Sequence, residues 1–414
     1  MTETAHRPRD PVVAPVMNWE TDFDHAHASY NANVHEIWDD LRDHCPVAHS
    51  ARYGGVWLPV RHADVSAIAY DTDHFSSEVV VVSNAPRTAD VQSFAPIGGA
   101  PPITSDPPFH HDARRVLLPA FSPKVIEQWE PEVRRLCREL LDKVGDEPIF
   151  DAAVAYAQHI PVNVIARMIG LPVEDSDYFR ETVHLVLEAV GAEFTERKAG
   201  FEKLDEYIRH HVEDHIANPK DDLIGFLLNA KIFDQPLSPA HVSGTIILLL
   251  VAGIDTTWSA IGSSLWHLAG NQDDRQRLVD EPSLMATAIE EFLCAYAPVT
   301  MGRVVIKDTE IGGCPVKKFD AVLLSFPAAN RDPQVFDRAD EVLIDREVNR
   351  HAAFGLGIHR CLGSNLARLE LRVAVEEFLA RFPDFELADP SAVTWSLGQV
   401  RGPRKLPVRI LHRA

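Results

Sequence analysis

Between residues 109 and about 300, apolar positions recur at helical spacing, the mark of helices that bury one face. "PEVRRLCRELLDKV", "AQHIPVNVIARMIG" and "TERKAGFEKLDEYIRHHVEDHIA" read this way, and a longer helix is predicted from Pro239 to Ala269. Another is predicted from Ser364 to Phe382, where Leu366, Leu369, Val373 and Phe378 alternate with Arg and Glu. Upstream, "HEIWDDLRDHCPV" and "RHADVSAIAYD" predict short helices, and "GGVWLPV" a strand. After residue 303 the period shortens: "RVVIK" and "AVLLSF" read as strands, and the tail "VTWSLGQVRGPRKLPVRI" alternates. Residues 82 to 106 are rich in Pro, Gly and Ser and predict a long loop, a kind of segment that is usually functional. Residues 1–30 predict a loosely held arm. No linker divides residues 31–414, so the expectation is one large domain, mainly α with a small β part.

Composition narrows the classes. The net charge of -21 and a pI of about 5.3 argue against general nucleic-acid binding. The five cysteines (Cys45, Cys137, Cys294, Cys314 and Cys361) are odd in number and scattered, which suits a reducing compartment. Without a Cys-x-x-Cys pair, zinc and plant-type iron–sulfur sites find no support. The polar start "MTETAHRPRDPVVAP" is no signal peptide. The apolar run "TIILLLVAGI" is about half of the roughly 20 residues a membrane span needs. The expectation is a cytoplasmic protein without a membrane or nucleic-acid partner.

Chemistry concentrates in three segments. In "FGLGIHRCLG", Phe354 to Gly363, a cysteine stands just before a helix N-terminus, where free N–H groups and the helix dipole lower a thiol's pKa. Gly355, Gly357 and Gly363 let backbone approach a sulfur or a flat ligand. Taken alone, Cys361 also fits a buried structural thiol. In "AGIDTT", Ala252 to Thr257, an acid and an alcohol lie inside an apolar helix. They fit either a kink with a threonine bonded back to the preceding turn or a proton relay in an apolar pocket. In "SDPPFHHDARR", His110 and Arg114 lie four apart, on one helix face. That is a solvated face or an anion site. With Arg303 and His359, these cations suit a flat dianionic ligand gripped from several segments.

On these residues the chain resembles the cytochrome P450 family. "FGLGIHRCLG" matches its haem-ligand loop, "AGIDTT" its oxygen-activating helix motif, and "DPPFH…R" its bacterial haem-propionate segment. The wording of "GIDTTWSAIGSSLWHLAG" and "AYAPVTM" resembles a bacterial group with thiocarbamate-degrading and reductase-fused members. The resemblance implies the P450 fold, with haem b between the long central helix and the Cys loop. It implies that Cys361 ligates the haem iron and that Phe354, Gly355, Gly363 and Ala252 pack around the haem. His359, His110, Arg114 and Arg303 would hold the propionates. Thr256 and Asp255 would deliver protons to iron-bound O2. A distal pocket is implied at the 82–102 loop, Leu248, Ala252, Val299, Thr300, Met301, Gln399 and Val400, suited to a small apolar or aromatic substrate.

One position departs from the pattern. The family pairs Glu-x-x-Arg on one helix, but here Glu291 is followed by Cys294. Arg346 occupies the place of the family's further arginine, so Glu291 is expected to be half-paired, at a cost of about 3 kcal/mol. No flavin fingerprint or iron–sulfur cluster is present. Electrons from NAD(P)H would therefore need a ferredoxin or flavodoxin, or a fused reductase. Arg350, Arg360, Arg368 and Arg372 could form a local basic patch for such a partner, or a solvated face. The expected function is a monooxygenase inserting one atom of O2 by hydroxylation or oxidative dealkylation. A peroxide-driven peroxygenase and a non-oxygenase haem-binding protein are the alternatives.

Overall fold

The structure is a computed structural model that describes residues 14–82, 99–187 and 194–414. In chain order, the elements that position the site begin with β1 (Val47–Ser50), β2 (Val56–Pro59) and β3 (Phe75–Ser76). Then come α1 (Phe109–Leu117), α2 (Glu130–Val144), α3 (His159–Ile169) and the long α4 (Pro239–Gly270). α5 (Gln272–Asp280), α6 (Met285–Ala295), β4 (Thr300–Val305) and β5 (Ala321–Ser325) follow. α7 (Ser364–Arg381), β6 (Thr394–Trp395) and β7 (Pro403–Lys405) complete the set. The helices expected at 35–47, 61–71, 131–144, 239–269 and 364–382 are present as 34–44, 62–70, 130–144, 239–270 and 364–381, each end within three residues of the one the pattern predicts.

α4 organises the molecule. Ser238 caps it, its hydroxyl accepting the His241 N–H at 3.2 Å, and Pro239 fills the first turn. Its apolar residues continue round the cylinder because α3, α7, α6 and Phe194–Ala217 pack on it from several sides. Among the described residues it is the helix long and apolar enough to cross a membrane, and most of it is buried in protein. α2 and α7 pack side by side, with Tyr156 and Phe378 in the core between the helices. The main sheet runs β1-β2-β5-β4-β3, antiparallel except for the β2/β5 pair. Its β4/β5 register sets Arg303 opposite Val322.

One expectation changes here. The N-terminal segment is held firmly from Trp19 onward. Phe23 is buried against Trp19 and Tyr30, and Arg52 clamps Asp22 and Asp24 at 2.6 Å each. Aromatic anchors and an ion pair to a distant arginine leave no periodic trace in a short segment. Of the predicted 82–106 loop, residues 83–98 lie outside the described residues. Residues 99–104 lie against α4, with the Thr245 hydroxyl donating to Pro101 O at 3.1 Å.

Candidate active site

The Cys loop is folded by its own backbone. Cys361 N–H donates to Phe354 O at 2.7 Å, and Gly355 N–H to Ala352 O at 2.8 Å. Gly357 has φ +67°, and a Cβ there would come within 2.1 Å of Ala69 O, so the loop docks on the helix His62–Tyr70 only with glycine. The Cys361 thiol is exposed, but towards an internal cavity. Desolvation pushes its pKa up, while the Gly363 N–H, Arg114, Arg360 and Arg368 oppose that shift and favour the thiolate.

The cavity holds about 330 Å³ and lies between α4 and the Cys loop. It brings together Cys361, Phe354, His359, Gly355, Gly363, Arg114, Arg303, Ala252 and Thr256 from the expected site. Leu248, Val299, Met301, Gln399 and Val400 join its wall as expected. Three expected residues do not line it. Thr300 alternates with Val299 and Met301 and is buried opposite Ser325 in the sheet, which the period of a strand requires. His110 lies behind the wall with its ring 4.3 Å from that of His359. Asp255 is turned away: its carboxylate accepts Arg404 Nη2 at 2.6 Å and is 1% exposed. Arg404, from β7, also donates to Ser259 Oγ at 3.0 Å and stacks 4.1 Å over Trp258. Thr256 faces the cavity and its hydroxyl donates to Ala252 O at 2.7 Å, the back-bonded arrangement.

Beside the Cys loop lies a largely buried cluster of arginines and imidazoles with no carboxylate in ion-pair contact among the described residues. Arg303 is 5% exposed, and its Nη1 donates to Gly302 O at 2.7 Å. Burial pulls its pKa down to about 10. Arg114 donates to Arg360 O at 2.6 Å. Among the described residues neither arginine forms an ion pair. Both ring nitrogens of His110 and Nε2 of His359 are buried without a hydrogen-bond partner. Burial first, then neighbouring cations, lowers His110 to about 4 and His359 to about 2. Buried donors without acceptors are costly. An anionic group at the cavity edge would relieve all four, so these residues fit the two carboxylates of a haem and the thiol fits its iron.

The Glu291 site corrects an expectation. Glu291 is 1% exposed and fully engaged. Its carboxylate accepts Arg346 Nε at 2.8 Å and Nη2 at 3.3 Å, Leu343 N–H at 2.8 Å, and Asn349 Nδ2 at 2.9 Å. The backbone donor and the amide supply what the absent arginine would have given. Cys294 instead packs with Phe336 and Ala339, its thiol 3.8 Å from Asn330 O and pushed up to about 12 by burial. Two members of the expected basic patch are also spent internally. Arg368 grips Glu290 at 2.6 and 2.8 Å and stacks 4.4 Å over Phe354; Arg372 pairs with Glu130 at 2.6 Å. Arg350 and Arg360 remain exposed.

Some lining residues had no signal in the sequence. Ile103, Leu117, Phe121 and Leu293 are apolar residues like any in the core. Glu370, two turns into α7, is 2% exposed, lines the cavity, and has no partner for Oε2. Burial raises its pKa to about 8.

The chain belongs to the cytochrome P450 family: the Cytochrome P450 family model matches residues 175–394. It is an oxidoreductase of the monooxygenase class, and P450s bind haem. It is 34% identical over 359 residues to the nocardicin C N-oxygenase of Nocardia uniformis subsp. tsuyamanensis, covering 85% of this chain and 89% of the relative. It is 33% identical over 360 residues to the mycinamicin IV hydroxylase/epoxidase of Micromonospora griseorubida, again 85% and 89%. The solved structure of the bacillaene polyketide synthase P450 PksS of Bacillus subtilis 168 superposes with a TM-score of 0.85 at 29% identity, covering 94% of this chain and 99% of that one. None of these three is named for thiocarbamate degradation.

Three predictions follow from the site's energetics. Asn349→Ala removes a hydrogen bond to a buried carboxylate and costs about 1.5–3 kcal/mol in denaturant unfolding. Cys294→Arg meets a carboxylate already satisfied and an occupied apolar pocket, so it gives no gain and costs about 1–3 kcal/mol. For Glu370, the folded state keeps a proton that the unfolded chain releases near its ordinary value of 4.5. Its contribution to stability is therefore present at low pH and is lost as pH rises towards about 8. Melting temperature measured across that window should fall less steeply in Glu370→Gln.

Proposed function

We propose that this chain is a haem-thiolate monooxygenase that inserts one atom of O2 into a small apolar or aromatic molecule, by hydroxylation or oxidative dealkylation. The observation that carries this reading is the Cys361 thiol opening onto a cavity whose edge holds Arg303, Arg114 and His359, with His110 behind His359 and no ion pair to either arginine among the described residues. Haem bound there supplies O2 activation, which a thiolate ligand favours.

The chain's own groups would take the remaining roles. Cys361 provides the thiolate, and the Gly363 N–H tempers its basicity. Arg303, Arg114, His359 and His110 hold the propionates. The wall of Leu248, Ala252, Val299, Met301 and Val400 excludes water and orients an apolar substrate, with the Gln399 amide fixed on Val80 O at 2.8 Å. Thr256 presents its hydroxyl to the cavity for proton transfer, and Asp255 refills it from behind once Arg404 yields. The overall balance is substrate, O2, NAD(P)H and a proton giving oxidised product, water and NAD(P)+. Electrons would arrive through a ferredoxin or flavodoxin, or a fused reductase, docking near the exposed Arg350 and Arg360. The five free cysteines suit the cytoplasm.

A peroxide-driven peroxygenase is the second reading, favoured by the turn of Asp255 towards Arg404. One experiment separates the two. Apolar molecules are screened for a spin-state shift, and a hit is turned over with NAD(P)H, a ferredoxin and its reductase under 18O2. The product should carry 18O, and Thr256→Ala should make about a hundredfold less of it while releasing peroxide. Product formed only when peroxide is added, with oxygen from that peroxide, would overturn the monooxygenase reading in favour of the peroxygenase.

A further inference from the structure

Behind the cavity wall lies a group that the oxygenation chemistry leaves unused. Tyr296 follows α6, between Leu293 and Pro298, both of which line the cavity. Its hydroxyl lies 2.7 Å from His267 Nδ1, and His267 Nε2 lies 2.8 Å from Asp274 Oδ2. A carboxylate at Nε2 fixes the imidazole N–H on that side, so Nδ1 is the acceptor and the phenol the donor. Asp274 is steadied in turn by its place in the first turn of α5, its N–H donating to Asn271 Oδ1 at 3.0 Å, and by Arg277 at 3.7 Å. His267 is 7% exposed.

The next rings lie close. Trp266 meets Tyr296 edge-on, with centroids 5.7 Å apart, and Trp395 of β6 lies 5.3 Å beyond Trp266. Trp266 stands six residues after Ala260, a cavity-wall residue, or about 9 Å along α4. The Arg401 guanidinium lies 4.4 Å over the Trp395 ring, so a positive hole on that indole is disfavoured. An electron vacancy entering from the cavity side would therefore settle at Tyr296.

A buried phenol is hard to oxidise because its proton has nowhere to go. Burial holds the Tyr296 phenol far above its ordinary pKa, and Arg331 and Arg401 only partly oppose Asp274 and Glu291 around it. His267 removes that obstacle: it can take the proton at Nδ1 and, as imidazolium, pair with Asp274. Tyr156 shows the contrast. It is buried more fully, but its hydroxyl donates to Ala374 O at 2.8 Å, and a backbone carbonyl cannot keep a proton.

We propose that Tyr296 is a redox-active tyrosine that discharges the site's oxidant when no substrate is present. The inference rests on the monooxygenase reading, which supplies that oxidant. Tyr296 loses one electron to the oxidant and its phenolic proton to His267, leaving a neutral phenoxyl radical beside an imidazolium paired with Asp274. One electron from the NAD(P)H-fed redox partner and the return of the proton from His267 restore the phenol, and a second such cycle, with two protons from solvent, completes the two-electron reduction of the oxidant to water. The device spares the cavity wall from oxidation during idle turnover.

The test uses the substrate-free holoenzyme, first checked for the thiolate-type carbon monoxide band, then mixed with hydrogen peroxide, freeze-quenched and read by electron paramagnetic resonance. Wild type should give a tyrosyl signal that Tyr156→Phe keeps and Tyr296→Phe loses. His267→Gln, which retains a hydrogen bond but no usable base, should weaken it at least tenfold. Haem bleaching by peroxide should be several-fold faster in Tyr296→Phe. A wild type with the thiolate band and no tyrosyl signal would overturn the proposal. So would a signal that survives Tyr296→Phe, or one untouched by His267→Gln. A wild type without the thiolate band overturns the monooxygenase reading and this inference with it.

Discussion

Arg303 sits almost wholly out of water, and the rest of the site is arranged around that charge. A guanidinium in this position needs anionic company, since desolvating a cation without it costs several kcal/mol. Yet β4 delivers Arg303, α1 delivers His110 and Arg114, and the Cys loop delivers His359 to one place, with no ion pair to either arginine among the described residues. The Asp106 carboxylate acts on Arg303, but it is already bound by the Ser76 hydroxyl and the Ser77 N–H. The fold thus carries a standing electrostatic demand that a dianion at the cavity edge meets. The same demand fixes orientation, because the thiol opens onto the same cavity.

Two acids behind the Cys loop are well satisfied, which sharpens the contrast. Glu291 finds four donors without the arginine its helix lacks, and Glu290 is bound by Arg368 and by His351 at 3.1 Å. Through Arg368 that pair reaches Phe354 and so braces the Cys loop. Cooperative networks of this kind hold a loop in one conformation. Unpartnered buried polar atoms occur at several places among the described residues, and those of His110, His359 and Glu370 come together beside the cavity, where a ligand would stand.

Much of this was legible in the sequence. Helices with a wide apolar face, such as α2, α4 and α7, announce themselves by period, and the Cys loop by its glycines. The expected site residues at Cys361, Thr256, Arg114, Arg303 and His359 do converge, because motif residues on rigid elements are placed by the fold itself. What stayed hidden depends on pairs far apart in the chain. Arg404 lies 149 residues from Asp255, and Asn349 lies 58 from Glu291. No periodicity joins such positions, so the acid read as facing the cavity faces β7, and the carboxylate read as half-paired is satisfied. Thr300 was misread for a simpler reason: three consecutive strand residues cannot all face one side.

The central claim is that Cys361, with the buried cations beside it, holds haem by a thiolate. The most direct measurement is the carbon monoxide difference spectrum of the dithionite-reduced protein, with haem content per chain, for wild type and Cys361→Ser. The account predicts a far-red Soret band of the thiolate type and near-stoichiometric haem in wild type, with that band lost in Cys361→Ser. A band of the histidine or neutral-thiol type in wild type, or an unchanged spectrum in Cys361→Ser, would contradict it.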